Sequence, residues 1–179
     1  KYDEALRAFK KLSSILPEST EVIYHIADLL DILDDVEGSI EWFGRLITRV
    51  PTDANALARL GSLYTRIGDE SQAFHYHLKS YRYYPVNMDV ISWLGAYFVK
   101  CEMYEKAVEY FQRAYEIQPA EVKWKLMVAS CYRRTGLYRQ AKELYESIHR
   151  SHPENVECLR YIVHICGDLG LQDEALQYR

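Results

Sequence analysis

The chain has 179 residues, with 22 Lys and Arg against 26 Asp and Glu, a net charge of −4 and 49% hydrophobic residues. This composition is that of a folded polypeptide and excludes wholesale disorder, and the mildly acidic balance argues against nucleic acid as the main partner. No stretch approaches the ~18 apolar residues that a membrane span requires, so we expect no direct membrane insertion.

Every proline of the chain falls on one period. The five prolines, each 34 residues from the next, are Pro17, Pro51, Pro85, Pro119 and Pro153. Self-similarity at a spacing of this size is typical of stacked repeat architectures. The sequence therefore predicts a chain built from about five copies of one 34-residue unit.

The first half of each unit has the apolar spacing of an α-helix. In the first full unit, apolar residues recur at i, i+3, i+4 and i+7, at Ile23, Ile26, Ala27 and Leu30, which places them on one helix face. The third of these positions is small in most units: Ala27, Gly61, Gly95, Ala129 and Val163. Small residues there allow a second helix to approach closely.

A second helix is predicted before each proline. When the units are aligned, one position holds mostly alanine, and the position four residues later holds mostly aromatic residues; these aligned positions are called the alanine column and the aromatic column. The two columns are Ala5, Ser39, Ala73, Ala107 and Ala141, and Phe9, Phe43, His77, Phe111 and Tyr145. Proline ends this helix because it cannot continue the hydrogen-bond ladder. Gly68, Gly136 and Gly170 fall between the two helices as left-handed C-caps, and Asp53, Asn87 and Asn155 precede the next first helix as N-caps.

This unit resembles the tetratricopeptide repeat (TPR), whose pattern runs W-x2-L-G-x2-Y and then A, F, A and P. The chain keeps Leu60-Gly61-x2-Tyr64 but lacks the opening Trp. The resemblance implies an all-α fold, a right-handed α-α superhelix (TPR solenoid) of about five 34-residue helix–turn–helix repeats. The repeats are predicted at 20–53, 54–87, 88–121 and 122–155, with partial repeats at 1–19 and 156–179. We therefore expect a part of a longer solenoid.

No constellation of residues indicates catalysis, and we expect a chain that is not an enzyme and takes no cofactor or metal. The sequence contains no Gly-rich phosphate loop, G-x-S-x-G or H-E-x-x-H motif. His149 and His152 are three residues apart and could share a helix face, but no third ligand lies nearby in the sequence. The four cysteines show no C-x-x-C spacing, which predicts reduced, buried thiols.

The TPR resemblance assigns a partner-binding groove to the first helices, which line the concave face of such arrays. The candidate groove residues are Tyr24, Asp28, Asp31, Ser62, Thr65, Ser92, Ala96, Val99, Lys123, Arg133, Arg134 and Arg160. The groove is predicted to open acidic, to be small and nearly uncharged in its middle, and to end basic. We expect an extended or helical segment of another protein to bind along it. The alternative is that these charges only keep a solenoid surface soluble.

Other interpretations stay open. Tyr81 and Tyr84 are predicted to pack against the next repeat, with Tyr83 partly exposed, although the cluster is also rich in residue types that dominate binding hot spots. Adaptors for chaperone tails resemble this chain in fold, but their carboxylate clamp requires Asn where Asp28 and Ser62 stand. An enzyme-associated TPR array is a further alternative.

Stretches outside the repeat pattern resemble one TPR family more closely. They include SYRYYP (residues 80–85), WLGAY (93–97), VKWKLMVASC (122–131) and PENVECLR (153–160). Together they are similar to the large TPR subunit of intraflagellar transport complex B. The resemblance implies a non-catalytic scaffold of the complex B core, needed for cilium or flagellum assembly and ciliary transport. It implies other complex B subunits, including the fifty-two-kilodalton subunit, and cargo as partners. It also implies localisation to the cilium or flagellum, the ciliary base and the cytoplasm.

Overall fold

The structure is a computed structural model that describes residues 1–178. Within this range the chain is all-helical and contains no β-strand. The helices are α1 (Tyr2–Ile15), α2 (Thr20–Ile32), α3 (Val36–Arg49), α4 (Ala54–Arg66), α5 (Glu70–Tyr83), α6 (Met88–Lys100), α7 (Tyr104–Ile117), α8 (Val122–Arg134), α9 (Tyr138–Ser151), α10 (Val156–Asp168) and α11 (Gln172–Gln177). The predicted all-α class is confirmed.

The helices follow the period of the prolines. The first helices, α2, α4, α6, α8 and α10, begin at residues 20, 54, 88, 122 and 156, each 34 residues after the one before. The second helices keep the same step from residue 36 to residue 172. Each proline follows the end of a second helix because a residue without a backbone N–H cannot extend it.

The described chain forms two compact units, from Lys1 to Val90 and from Ile91 onward. In the first unit each helix from α1 to α4 packs against the helix that follows it. In the second unit the same consecutive packing runs from α7 to α11. Each unit is therefore built from helix hairpins stacked in chain order, as repeat proteins are.

The cores of the two units are built from the predicted columns. The aromatic column is buried from Phe43 onward, with Phe43 fully buried, His77 and Phe111 3% exposed, and Tyr145 1% exposed. Opposite it lies the small column, in which Ala27 and Ala129 are fully buried. A small residue on the first helix thus leaves space that a ring on the second helix fills.

Two glycines of the small column mark especially close approaches. A Cβ atom at Gly61 would lie 2.8 Å from the His77 ring, and one at Gly95 would lie 2.6 Å from Cε1 of Phe111. Because such distances are below van der Waals contact, the rings sit directly against the backbone of the first helix.

The turns and caps follow local backbone chemistry. Gly68, Gly136 and Gly170 have φ angles of 80°, 80° and 72° in the turns between first and second helices, as predicted. Asp34 and Glu102 take this left-handed position in the other repeats, with φ angles of 64° and 58°. The N-cap side chains that accept a backbone N–H include Ser19, Asp35, Asp53, Asp69 and Asn155.

Two buried serines on second helices have acceptors for their hydroxyl groups. Ser39 Oγ donates to the carbonyl oxygen of Ala27 at 2.8 Å, and Ser80 Oγ donates to that of Ala54 at 2.7 Å. Because a buried hydroxyl with an acceptor costs little stability, these core positions tolerate serine. The two bonds also tie each second helix to the backbone of its first helix.

The cysteines lie mostly in the core. Cys131, Cys158 and Cys166 are buried free thiols, whereas Cys101 is exposed. Burial raises the pKa of Cys131 and of Cys158 to about 11. The prediction of reduced, buried thiols is confirmed for three of the four and is wrong for Cys101. Among the described helices, none is long and apolar enough to cross a bilayer.

Candidate partner-binding surface

The acidic residues of the first unit lie on one face of α2. Tyr24, Asp28 and Asp31 are half-buried, at i, i+4 and i+7 along the helix. Arg59 of α4 bridges the two carboxylates, with its Nη2 2.7 Å from Asp28 Oδ1 and 2.8 Å from Asp31 Oδ2. Asp28 and Asp31, which the sequence placed at the acidic end of the groove, are therefore already paired with an arginine of α4.

A second arginine extends this ion-pair network. Arg66, at the end of α4, pairs with Asp31 through Nη1 and with Asp34 through Nη2, the latter at 2.5 Å. Burial alone would lower the pKa of the Arg59 guanidinium, but its hydrogen bonds to Asp28 and Asp31 raise it above the ordinary value. Sequence reasoning missed both arginines, because the pairs join residues 28 to 35 positions apart.

The predicted residues of α4 and α6 form small, uncharged surfaces. Ser62 and Thr65 are exposed on α4, and Thr65 Oγ1 donates to the carbonyl oxygen of Gly61 at 2.9 Å. On α6, Ala96 is exposed, while Ser92 and Val99 are half-buried. These side chains are small and uncharged, and their role as the middle of a binding groove stays a prediction.

The basic residues of the second unit are held by aromatic rings. Lys123 Nζ lies 4.6 Å from the centre of the Trp124 ring, and the guanidinium of Arg133 lies 5.0 Å from that of Tyr161. Arg134 donates to the Tyr104 hydroxyl at 3.0 Å. Arg160 is exposed. None of the four predicted cations forms an ion pair with a carboxylate of residues 1–178.

A cleft of about 210 Å³ opens beside these cations. It lies among α8, α9 and α10, and its walls include Leu126, Met127, Ser130, Tyr145, Glu157 and Tyr161. Lys123 also lines it. The cleft was not predicted, because it requires three helices of two successive repeats to meet.

The floor of this cleft contains a buried phenol. Tyr145 is 1% exposed, and the proton of its hydroxyl has no acceptor within the described part of the chain. Burial raises the pKa of this hydroxyl to about 12, and the hydrogen bond and positive charge of the Arg133 side chain only partly oppose that rise. The group is therefore a protonated hydrogen-bond donor at neutral pH.

A larger cleft, of about 430 Å³, lies on the other side of α8, between α7 and α9. Its walls include Tyr115, Tyr132 and Leu144. Lys125 Nζ lies 4.7 Å from the Tyr115 ring, and Gln112 Nε2 donates to the Tyr132 hydroxyl at 3.2 Å. Lys125, Gln112 and Tyr132 thus have partners of their own within this cleft.

The remaining candidate residues give no constellation for chemistry. The His149 ring packs edge-on against Tyr178, and Nδ1 of His152 lies 2.9 Å from Ser151 Oγ. Over the described residues, no three His, Cys, Asp or Glu side chains come together as metal ligands would. At the end of α5, Tyr83 is 49% and Tyr84 56% exposed. The expectation that Tyr84 packs is therefore wrong.

The predicted groove residues thus divide between the two units. Tyr24, Asp28, Asp31, Ser62 and Thr65 belong to the first unit, and the candidates from Ser92 to Arg160 belong to the second. In each unit the candidates lie on first helices that follow one another in the stack. Their assignment to a binding surface stays a prediction.

Comparison with known families identifies the repeat. Residues 90–121 and residues 125–155 each match a family model described as the tetratricopeptide repeat. These segments cover the α6–α7 and α8–α9 hairpins. The fold around them is a typically non-catalytic interaction module, and no catalytic family matches these segments.

Solved structures with this fold have low sequence identity to the chain. YrrB, described as a TPR protein with an unusual peptide-binding site, is 20% identical, with a TM-score of 0.76 over 96% of this chain and 88% of its own. The MamA protein is 22% identical, with a TM-score of 0.70 over 90% and 88% of the two chains. A chain of the Naa15/Naa10 structure bound to HypK-THB is 17% identical, with a TM-score of 0.79 over 99% of this chain.

This chain spans only 28% of that last chain. At these identities the likeness concerns the fold and not the partners. The two repeat matches and the shared architecture nevertheless agree with the 34-residue period of the helices. The described chain therefore has the fold of a TPR solenoid, and two of its segments match the tetratricopeptide repeat.

Proposed function

We propose that this protein is a non-catalytic scaffold that binds segments of other polypeptides on the exposed faces of its first helices. The observation that carries the proposal is the environment of the Lys and Arg side chains of α8 in the second unit. Lys123, Arg133 and Arg134 lie over aromatic rings and form no ion pair with a carboxylate of residues 1–178. Ordered cations that are not taken up in ion pairs are typical of surfaces that recognise an acidic or polar partner.

The fold supports the same function. YrrB is described as having a peptide-binding site, and the Naa15/Naa10 structure contains bound HypK-THB. Both support the binding of polypeptides by arrays of this architecture. Small residues such as Ala96 on α6 and Ser62 on α4 allow the backbone of a bound segment to come close.

Within this general function, we propose a role in the core of intraflagellar transport complex B. The support is the sequence likeness over residues 80–85, 93–97, 122–131 and 153–160, most of which lies outside the general repeat pattern. On this proposal the partners are other complex B subunits, including the fifty-two-kilodalton subunit, and cargo. The place of action is the cilium or flagellum, its base and the cytoplasm.

Affinity purification of the tagged full-length protein from ciliated cells tests this proposal. We expect recovery of the other complex B subunits with the wild-type protein, and reduced recovery with the double variant Arg133→Glu and Arg134→Glu. The matched control is Arg139→Glu with Arg150→Glu, which reverses two exposed charges on α9. Circular dichroism should show the same helix content for all three proteins.

Each result has a separate meaning. Unchanged recovery with the double variant would remove the α8 surface from the proposal. Recovery of a catalytic subunit or a chaperone in place of transport subunits would favour an enzyme-associated array or a chaperone adaptor. Recovery of no partner protein at all would contradict the scaffold function itself.

A further inference from the structure

The cleft among α8, α9 and α10 combines an apolar wall with hydrogen-bond donors. Leu126 and Met127 of α8 and Tyr161 of α10 supply apolar surface, and Met127 is 45% exposed. An exposed methionine is polarizable and adaptable, and such residues are common at surfaces that receive apolar side chains. The volume of about 210 Å³ is enough for one side chain of a bound peptide and not for a drug-sized ligand.

Arg133 lies next to this cleft, where its side chain contacts Tyr161, one of the lining residues. It lies one turn beyond Ser130 on α8, its guanidinium stacks 5.0 Å from the centre of the Tyr161 ring, and its charge acts on the Tyr145 hydroxyl. Its Nε–H is buried and makes no hydrogen bond within residues 1–178. A guanidinium already held over a ring loses little side-chain entropy when it binds a carboxylate with two parallel hydrogen bonds.

Tyr145 supplies a second donor in the same place. Its hydroxyl is buried and protonated at neutral pH, and its proton has no acceptor among the described residues. Buried donors without acceptors are rare in folded proteins. Arg133 Nε–H and the Tyr145 hydroxyl are two such donors, and both lie beside an open cleft. An acceptor group from another molecule could therefore bind to them.

The first unit shows what completes a comparable site. Three repeats earlier, the positions of Ser130 and Arg133 are occupied by Asp28 and Asp31, and the position of Tyr161 is occupied by Arg59. There the arginine and both carboxylates belong to the chain and pair at 2.7 and 2.8 Å. In the second unit, Ser130 and Arg133 stand in place of the two aspartates and Tyr161 stands in place of Arg59, so these three positions supply a cation and no carboxylate.

The charge around the cleft favours an anionic group. Lys123 lines it and Arg160 is exposed on α10, one residue before Tyr161. Glu157 is the acid among the described lining residues. With Arg133, the three cations outnumber this carboxylate, so the local field attracts negative charge.

We propose that this cleft binds an acidic segment of a partner polypeptide, with an Asp or Glu carboxylate on Arg133 and a neighbouring apolar side chain against Leu126, Met127 and Tyr161. This inference rests on the proposed scaffold function and names the chemistry of the segment that the second unit recognises. The partner supplies the carboxylate that α2 supplies to Arg59 in the first unit.

Peptide display on the immobilised full chain tests the inference even though the partner is unidentified. We expect enrichment of peptides that carry Asp or Glu next to Leu, Ile, Met or Phe, and loss of that enrichment on the Arg133→Gln chain. One enriched peptide is then synthesised and measured by fluorescence polarisation. Changing its acidic residue to the matching amide should weaken binding about tenfold.

A double-mutant cycle separates a direct contact from a structural effect. Combining Arg133→Gln with the amide peptide should weaken binding little more than either change alone. Tyr145→Phe should weaken it about threefold and change the melting temperature little, because the buried hydroxyl that is removed has no acceptor for its proton in the chain. Arg150→Gln, an exposed charge on α9 outside the cleft, should have no effect.

Several results would overturn the inference. They are the absence of an acidic preference among bound peptides, equal binding by the Arg133→Gln chain, or additive effects in the cycle. If Arg133→Gln also retains every partner recovered from cells, the inference fails and the scaffold function stands. If the wild-type chain recovers no partner from cells, the proposed function itself fails.

Discussion

The two units of the protein share one architecture and treat the charges of their first helices in opposite ways. In the first unit, Arg59 and Arg66 form ion pairs with Asp28, Asp31 and Asp34. In the second unit, the cations of α8 lie on Trp124, Tyr161 and Tyr104 instead. The same helical frame thus carries first-helix charges that form ion pairs in one unit and lie over aromatic rings in the other.

This difference shows how a repeat array separates stability from recognition. The buried columns recur with the 34-residue period because every hairpin must fill the same space. The exposed faces are not bound by that requirement, so Arg59 in one repeat can become Tyr161 three repeats later. Substitutions in the buried columns probe what the units share, and substitutions on the exposed faces probe what distinguishes them.

The largest effect is expected where the units are equivalent. Phe43→Ala and Phe111→Ala should each destabilise the protein by about 3–5 kcal/mol, because each removes a buried ring and leaves a cavity. Phe43 is fully buried and Phe111 is 3% exposed. Urea denaturation followed by circular dichroism gives the free energy of unfolding. Tyr83→Ala, at a position 49% exposed, should cost less than about 1 kcal/mol. A similar loss for all three would contradict a shared aromatic core.

A pH dependence should distinguish the His77 position from its equivalents. Burial lowers the pKa of His77 from 6.5 to about 4, so the unfolded state binds more protons between these values. The stability that depends on neutral His77 is therefore fully present above pH ~6.5. The free energy of unfolding should fall by up to about 3 kcal/mol as the pH drops towards 4. His77→Phe, which places at this position the residue that stands at Phe43 and Phe111, should remove that component. If the free energies of unfolding of the wild-type protein and of His77→Phe change in parallel between pH 7 and 4.5, the assignment of this pH dependence to His77 is contradicted.

The ion pairs of the first unit should contribute a smaller, salt-dependent stability. Asp31→Asn should cost about 1–2 kcal/mol, because Asp31 is 22% exposed and pairs with two arginines. Arg134→Gln in the second unit should cost less than about 1 kcal/mol and depend little on salt. Thermal melts at low and high salt test the contrast, with Arg45→Gln, an exposed i,i+4 partner of Glu41, as a control. If the losses of melting temperature caused by Asp31→Asn and by Arg134→Gln depend equally on salt, the first-helix charges of the two units do not differ as described.

The smallest effect concerns the helix caps. Asp53 accepts the backbone N–H of Ala56 at 3.0 Å, whereas Glu121, three residues before Trp124 and at the equivalent place in its repeat, makes no side-chain cap. Asp53→Ala should therefore cost about 1 kcal/mol and Glu121→Ala less than about 0.5 kcal/mol. Chemical denaturation resolves this difference, and a larger loss for Glu121→Ala would reverse the interpretation.

The fold was predictable because its determinants are local and periodic. Proline spacing located the ends of the second helices, and Gly68, Gly136 and Gly170 marked the left-handed turns. Asp34 and Glu102 were missed at the same position, because a residue with a side chain adopts positive φ without any sequence signal. Tyr84 was expected to pack and is 56% exposed, because its helix ends one residue earlier, at Tyr83.

The candidate surface was less predictable because its chemistry depends on neighbouring helices. The residues at the groove places could be named from the repeat, but the partners of Asp28 and Asp31 could not. Likewise, the sequence did not reveal that Arg133 stacks on Tyr161 or that the Tyr145 hydroxyl lies in the same cleft. Such contacts join residues about one repeat apart, at places where the family pattern leaves the residue type open.

Cys101 gives the protein a natural attachment point. Because the other three thiols are buried and those of Cys131 and Cys158 have a pKa near 11, a maleimide reagent at neutral pH should modify Cys101 selectively. The unmodified sequence can therefore carry a single fluorophore or spin label directly after α6. Distance changes between that label and a labelled peptide would report binding without any engineered substitution.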